Sequence, residues 1–153
     1  MKKCPDEYIG RWFSVFHRLS ISYICNGLKE FGIGNGQIMF LLELYHRDGV
    51  KQETLSTYLS IDRANTTRAL NKLEQAGYVI RKVDEQDKRA FRIYLTDKAL
   101  RIKPNVLELM SNWEDMLLGD LSAEERIVFL RLTKKIGHSA IENNRCALCE
   151  DSC

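Results

Sequence analysis

Two short amphipathic helical patterns, followed at once by a basic hairpin pattern, constrain the fold more than any other feature of this 153-residue chain. The helical patterns cover residues 52–59 and 62–77, and a two-residue turn separates them. The hairpin pattern covers residues 78–95 and has a polar tip at 85–89. Helix, tight turn, helix, strand, turn and strand is the order of a winged helix-turn-helix, a fold commonly used to bind duplex DNA.

The second helical pattern has an inward and an outward face. Asp62 is a suitable N-cap, because its carboxylate can accept from the free N–H groups of the first turn. We expect Thr66, Ala69, Leu70 and Leu73 to face the core. On the outward face Arg can bond guanine, Asn adenine, and Thr thymine or phosphate, although an ordinary solvated helix face has a similar composition. The residues of this helix predicted to bind DNA are Arg63, Asn65, Thr67, Arg68 and Lys72.

The hairpin makes DNA binding the favoured interpretation of that face. Phe91, Ile93 and Leu95 alternate with Arg92 and Tyr94, as a half-buried strand requires. Acids and bases lie side by side at the tip, with Asp84 directly before it, so an acid can hold the loop in shape while a cation enters a narrow minor groove. A purely structural hairpin has little use for five basic residues. They are Arg81, Lys82, Lys88, Arg89 and Arg92, of which Lys88 and Arg89 are predicted to contact DNA.

The same residues carry a resemblance to a known family. The run from Leu59 to Arg81 contains Thr-Arg, Leu-Glu and Gly elements and is followed by Asp87-Lys-Arg-Ala and by Ile93-Tyr-Leu-Thr. In order and spacing this resembles the multiple-antibiotic-resistance regulator (MarR) family of winged-helix transcriptional regulators. Lys88 stands where Arg is common in that family, which keeps the charge but weakens bidentate hydrogen bonding. The resemblance implies a homodimer that binds a pseudo-palindromic operator and responds to a small ligand or a redox input.

The resemblance also implies an organisation for the whole chain. We expect a mainly α fold with a small antiparallel β-hairpin, in which a winged helix-turn-helix is joined to a helical dimerisation module. The expected single MarR-like domain, 1–153, consists of the dimerisation module at 6–47 and 97–142, the winged helix-turn-helix at 48–96, and a cysteine-rich tail at 143–153, and this tail departs from the plain family pattern.

Helical patterns flank the winged segment on both sides. The first covers residues 6–31 and has a broad apolar stripe, which fits either a core or a subunit interface. A second covers 37–47, with Asn35 as a candidate cap. Another follows Thr96 and runs to about Leu118, with Pro104 inside it. A last helix, running to about Glu142, is opened by the capping box Ser122-Ala-Glu-Glu125.

Charge and hydropathy narrow the class of protein. The net charge is +2, but residues 51–103 carry twelve Lys or Arg and seven Asp or Glu, a local +5 that suits phosphate contacts. No stretch approaches the roughly 18 apolar residues of a membrane span, and the N-terminus has no signal-peptide pattern, so we expect a cytoplasmic protein without a membrane partner. No nucleophile elbow, phosphate loop or paired catalytic carboxylates occur, and we therefore do not expect an enzyme.

Five cysteines are present, and three of them lie close together near the C-terminus. Their spacing allows a metal site, with Cys4 as a candidate fourth ligand, or a disulfide switch. An inert, reduced tail is the remaining alternative. Cys25 lies in the first helical pattern and is expected to be a small buried hydrophobe. The residues of the possible metal or redox site are Cys4, Cys146, Cys149 and Cys153; no other cofactor is expected.

A small anionic or aromatic effector is a further possible partner. Members of the resembled family can bind such molecules between the dimer module and the DNA-binding segment, and Arg18 would suit a carboxylate. An ordinary ion pair within the protein is the alternative role for Arg18. The candidate ligand-binding residues are His17, Arg18 and Tyr45. A rival function from another class is a winged-helix module that binds proteins and docks through a metal-bound cysteine tail.

Overall fold

The computed structural model describes the backbone of residues 4–150 and the side chains of residues 4–142. In that part of the chain, six α-helices and three β-strands follow one another, together with short 3-10 helices at Pro5–Glu7 and Lys29–Phe31. The order is α1 (Ile9–Gly27), α2 (Asn35–His46), β1 (Val50–Lys51), α3 (Gln52–Leu59), α4 (Arg63–Gln75), β2 (Val79–Val83), β3 (Phe91–Leu95), α5 (Asp97–Leu118) and α6 (Ala123–Glu150).

The predicted mainly α fold with a winged helix-turn-helix is confirmed, and the predicted hairpin gains a third strand. β2 and β3 pair antiparallel, with Val79 opposite Leu95 and Val83 opposite Phe91. β1 pairs antiparallel with the other edge of β3, so the sheet order is β1-β3-β2. A strand of two residues shows no alternation, and for this reason the sequence did not predict β1.

The first and last helices differ in length from the sequence prediction. α1 ends at Gly27 rather than near residue 31, because the chain tightens into a 3-10 helix that stops at Gly32, where φ is +65°. The backbone of α6 continues to Glu150, into the segment assigned to the tail, since residues 143–150 contain no glycine or proline to end it. None of the described helices is long and apolar enough to span a membrane.

Two compact units make up the chain, and the first, which ends at Trp113, contains the buried core. The two helices of the helix-turn-helix, α3 and α4, and the wing strands β2 and β3 contribute to this core. Residues of α2 and of the first half of α5 contribute to it as well. The predicted inward face of α4 is confirmed, since Thr66, Ala69, Leu70 and Leu73 are all buried. The largest fully buried side chains are Tyr78, Phe40, Leu28, Ile38, Leu41, Leu44, Leu55, Leu70, Leu73, Ile93, Val79 and Val106.

The second unit begins at Glu114 and contains the end of α5 and the whole of α6. The predicted capping box opens this helix: the Ser122 amide donates to Glu125 Oε2 at 2.8 Å, and the Glu125 amide donates to Ser122 Oγ at 3.3 Å. Large apolar side chains of α6 remain exposed to solvent. They are Ile127, Val128, Phe129, Leu130, Leu132 and Ile136.

Candidate nucleic-acid interface

The five α4 residues predicted to bind DNA all lie on the exposed surface of that helix. Packing of the opposite face into the core fixes this orientation, because a helix turned about its axis would expose Leu70 and Leu73. The exposed face therefore presents guanidinium, amide, hydroxyl and ammonium groups together, which is the chemistry that base edges and phosphates require.

A chain of hydrogen bonds orders the first two turns of α4. Asp62 is the N-cap as predicted, and its Oδ1 accepts from the Asn65 amide at 2.8 Å. This hydrogen bond from the Asn65 amide, together with one from the Asn65 side chain, lowers the pKa of the Asp62 carboxyl. The Asn65 side chain donates to Asp62 Oδ2 and accepts from Arg68 Nη2 at 2.6 Å. Asn65 and Arg68 are thus held in defined positions on the exposed face.

The neighbouring helix α3 also contacts the exposed face of α4. Glu53 Oε1 lies 2.6 Å from Arg63 Nη2 and forms an ion pair with it. Gln52 Nε2 donates to Thr67 Oγ1 at 3.0 Å. Sequence reasoning had assigned no role to Gln52 or Glu53, because the pairing of side chains across a helix-turn-helix depends on the angle between its helices.

A buried carboxylate holds the wing in shape. Asp84 follows β2 and is 1% exposed. It accepts from the amides of Gln86 and Asp87, at 3.1 and 2.8 Å, and forms ion pairs with Arg92 at 2.5 Å and with Lys51 at 3.5 Å. The hydrogen bond from the Asp87 amide, together with the Arg92 and Lys51 charges, lowers the pKa of the Asp84 carboxyl to about 2. Asp84 therefore joins the wing turn, β3 and β1.

The basic residues of the hairpin do not all serve one purpose, and the expectation that a structural hairpin has little use for them needs correction. Arg92 is bound to Asp84 and to the Gly49 carbonyl at 2.9 Å. Arg81 Nη1 lies 2.7 Å from Glu74 Oε2 and ties β2 to the end of α4. Lys82 lies over the Tyr94 ring, 5.0 Å from its centroid. These contacts are internal, so they hold the wing together and do not by themselves indicate DNA.

Lys88 and Arg89, the two wing residues predicted to contact DNA, lie exposed at the tip of the hairpin. The Arg89 amide donates to Asp87 Oδ1 at 3.0 Å, which fixes the backbone of the turn. The Arg89 guanidinium takes no part in this hydrogen bond. Arg89 and the α4 residues Arg63 and Thr67 line one open groove of about 380 Å³. A cation of the wing and a cation of the helix thus face the same space.

We expect Asp84→Asn to destabilise the protein at neutral pH and to remove an acid-sensitive part of its stability. The pKa of Asp84 is about 2 in the folded protein, below the value near 3.9 of an unfolded chain. Such a carboxylate stabilises the fold above about pH 4, and that stabilisation is lost as the pH falls toward 2. Urea unfolding measured from pH 7 to pH 2 should show the free energies of unfolding of the wild type and of the variant becoming equal as the pH falls from about 4 to about 2.

The control for this experiment is Asp120→Asn, which removes an exposed carboxylate between α5 and α6. We expect its free energy of unfolding to differ little from that of the wild type, because the substitution removes no buried contact. A constant difference between wild type and Asp84→Asn across the whole pH range would contradict the assigned role of Asp84.

The C-terminal end of α4 is fixed by the beginning of α5, a contact that the sequence did not predict. The Tyr78 amide donates to the Leu73 carbonyl at 2.8 Å, and Gly77 has a φ of +77°, as in a Schellman ending. Thr96 Oγ1 donates to the Gly77 carbonyl at 2.7 Å, and Lys98 Nζ donates to the Ala76 carbonyl at 2.7 Å. Thr96 and the first turn of α5 therefore bind the carbonyls that directly follow α4, the helix that carries the candidate DNA-binding residues.

Two of the three candidate ligand-binding residues, Arg18 and Tyr45, make ordinary contacts within the protein. His17 and Arg18 are exposed on α1, and Arg18 Nη1 donates to Ser14 Oγ at 2.6 Å. Tyr45 is half-buried, and its hydroxyl donates to the Ala99 carbonyl at 2.9 Å. Burial raises the pKa of Tyr45 to about 12, which keeps its hydroxyl a hydrogen-bond donor to a more alkaline pH than is usual for tyrosine. The ligand site stays a prediction.

The candidate cysteine site falls largely outside the described residues. Cys4 is an exposed free thiol, and Cys25 is a free thiol that is half-buried rather than fully buried as expected. The side chains of Cys146 and Cys149 and the whole of Cys153 lie outside the described part. Among the side chains that are described, no group of three or more His, Cys, Asp or Glu residues could hold a metal ion. The metal or redox role stays a prediction.

Comparison with known proteins identifies the family. A family model described as the MarR family matches residues 33–91. The crystal structure of a MarR transcriptional regulator from Methanosarcina mazei Go1 is 34% identical to this chain, with a TM-score of 0.83 and coverage of 91% of this chain and 93% of that one. The chain belongs to the MarR family. It is accordingly a transcriptional regulator with a winged helix-turn-helix, as the resemblance implied.

Other MarR-type relatives are more distant. The transcriptional repressor MprA of Escherichia coli (strain K12) is 29% identical over 111 residues, which are 71% of this chain and 63% of that repressor. A MarR family regulator from Listeria monocytogenes, complexed with a 26mer DNA, is 24% identical with a TM-score of 0.84, covering 94% of this chain and 92% of that one. The Listeria structure supports the fold alone, while MprA adds a relative that acts as a repressor.

Proposed function

We propose that this MarR-family protein is a homodimeric repressor that binds a pseudo-palindromic operator. In each protomer, Arg63, Asn65, Thr67 and Arg68 read bases in the major groove, Lys72 contacts the backbone, and the wing enters the adjacent minor groove. The observation that carries the proposal is the ordered, exposed face of α4, which shares a groove with Arg89 of the wing. The DNA complex of the Listeria relative and the repressor activity of MprA agree with it.

The dimer is proposed to form through residues 6–47 and 97–142. Ile9, Trp12 and Phe13 of α1 are each more than 40% exposed, and α6 carries the exposed apolar residues described above. Apolar surface of this extent on two helices of a small protein favours burial against a second copy. Two linked winged helices would then place their α4 helices in successive major grooves.

A gel-shift experiment tests the proposed function. Duplex DNA from the protein's own promoter region and random duplex of equal length are titrated with the protein at a fixed salt concentration. We expect tighter binding to the promoter DNA, since the α4 face should discriminate among bases. If the protein shifted neither duplex, the proposed DNA binding would be rejected. The result would favour the rival function, a winged-helix module that binds other proteins.

The wing residues are expected to contribute affinity without much specificity. The double variant Lys88→Ala, Arg89→Ala should weaken binding to promoter and random DNA alike, because two cations that neutralise phosphates are lost. The slope of log affinity against log salt should become shallower by up to about 1.8. The measurement is a salt titration of both duplexes, with Lys134→Ala on α6 as the control. A slope equal to wild type would exclude phosphate contacts by the wing.

Control of DNA binding by a small molecule or by the cysteines is the remaining part of the proposal. An anionic or aromatic effector would bind near His17, Arg18 and Tyr45. We also propose that the protein is cytoplasmic, and that its C-terminal cysteines bind a metal or form a disulfide. Protein purified without oxygen allows metal content and operator affinity to be measured together before and after oxidation or chelation. Equal affinity in all three states would leave the cysteines without a regulatory role.

A further inference from the structure

An acidic residue sits among the candidate DNA-binding residues. Glu53, in the first turn of α3, forms an ion pair with Arg63 in the first turn of α4, with 2.6 Å between Oε1 and Nη2. The two side chains are 72% and 82% exposed, so the pair lies on the surface that DNA would approach. A carboxylate in that position repels phosphate, and a purely phosphate-binding surface would gain affinity from its removal.

The pair changes the properties of Arg63 in two ways. The guanidinium has five N–H donors, and Glu53 contacts one nitrogen, Nη2, so that donors on the other nitrogens remain for a base edge. The carboxylate also offsets the positive charge that would attract any phosphate. Arg63 therefore keeps its hydrogen-bonding capacity for guanine while losing much of its sequence-independent attraction to DNA.

The contact also restricts the conformation of Arg63. A free, exposed arginine samples many rotamers, and fixing one of them on binding costs roughly two- to tenfold in affinity. A surface ion pair is weak, worth at most about fivefold, but the restriction that it imposes is present before DNA arrives. A related restriction occurs in α4, where Arg68 donates to Asn65 and Asn65 in turn donates to Asp62.

We propose that Glu53 is a specificity-determining residue that positions Arg63 for a base and lowers its attraction to phosphate. This inference rests on the proposed DNA-binding function. Removal of the Glu53 carboxylate then has opposite effects on the two kinds of DNA. Operator binding weakens because Arg63 is no longer oriented, whereas binding to random DNA strengthens because Arg63 is free to contact phosphate and the repulsion is gone.

The test compares Glu53→Gln with wild type on the promoter duplex and on random duplex. We expect roughly two- to tenfold weaker binding to the promoter duplex and up to about fivefold tighter binding to random DNA, so the ratio of the two affinities falls by about two- to fiftyfold. The salt dependence on random DNA should steepen by up to about 0.9 as one more cation neutralises phosphate. Glu108→Gln, which removes an exposed carboxylate on α5, should leave the ratio unchanged.

A second arm tests whether Glu53 acts through Arg63. In an Arg63→Ala background, Glu53→Gln should no longer weaken binding to the promoter duplex, because there is no guanidinium left to orient. An equal gain of affinity for both duplexes, or a Glu53→Gln protein that behaves like Glu108→Gln, would overturn the inference while leaving DNA binding intact. A wild-type protein that binds neither duplex would instead reject the proposed function.

Discussion

Leu132→Glu on α6 is expected to convert the proposed homodimer into monomer and to weaken operator binding by about 10²–10⁴-fold. Leu132 is 48% exposed, and Val128 and Ile136 lie four residues before and after it, on the same side of the helix. A carboxylate in the middle of an apolar interface would be desolvated without a partner. Loss of the dimer removes the second winged helix, and with it the gain from binding two linked half-sites.

Sedimentation velocity and the gel shift measure the two parts of this prediction. His138→Glu is the control, because it adds the same side chain to an exposed, more polar part of α6; we expect it to leave both the assembly and the operator affinity close to wild type. A Leu132→Glu protein that remains dimeric would place the interface elsewhere. A wild-type protein that sediments as a monomer at micromolar concentration would contradict the proposed dimer.

The sequence predicted those features of the site that arise within one element. The inward face of α4 follows from helical spacing, and its capping by Asp62 follows from the chemistry of a short side chain at a helix start. The capping box at Ser122 is equally local and was found where the sequence placed it. Such features depend on residues that are three or four positions apart, and this spacing can be read from the sequence.

Features that join distant segments were not predictable in the same way. Asp84 was expected to belong to an acidic and basic tip, yet it is buried by contacts with Lys51 and Arg92, and Lys51 lies 33 residues earlier in the chain. The contact of Lys98 with Ala76 depends on where α5 meets the end of α4. Sequence charge alone cannot separate a cation bound inside the wing from one facing solvent, so the internal contacts of Arg81 and Arg92 became visible only in the structure.

Arg68→Ala is expected to weaken operator binding by about 1–3 kcal/mol while leaving binding to random DNA nearly unchanged. Arg68 is exposed in the second turn of α4, and its Nη2 donates to Asn65, which is itself held by Asp62. An arginine held in this way can offer its remaining donors to a guanine edge, whereas phosphate contacts by other cations continue in its absence. The measurement is the ratio of operator to random affinity at one salt concentration.

The charge lost with Arg68 needs its own control. Arg101→Ala removes an exposed arginine on α5, outside the α4 face, and should leave the affinity ratio as in wild type. If the effect of Arg68→Ala were merely electrostatic, affinities for both duplexes would fall together and the salt dependence would become shallower. An unchanged preference for the operator in a folded Arg68→Ala protein would remove Arg68 from base recognition and leave Arg63 and Asn65 as the remaining candidates on α4.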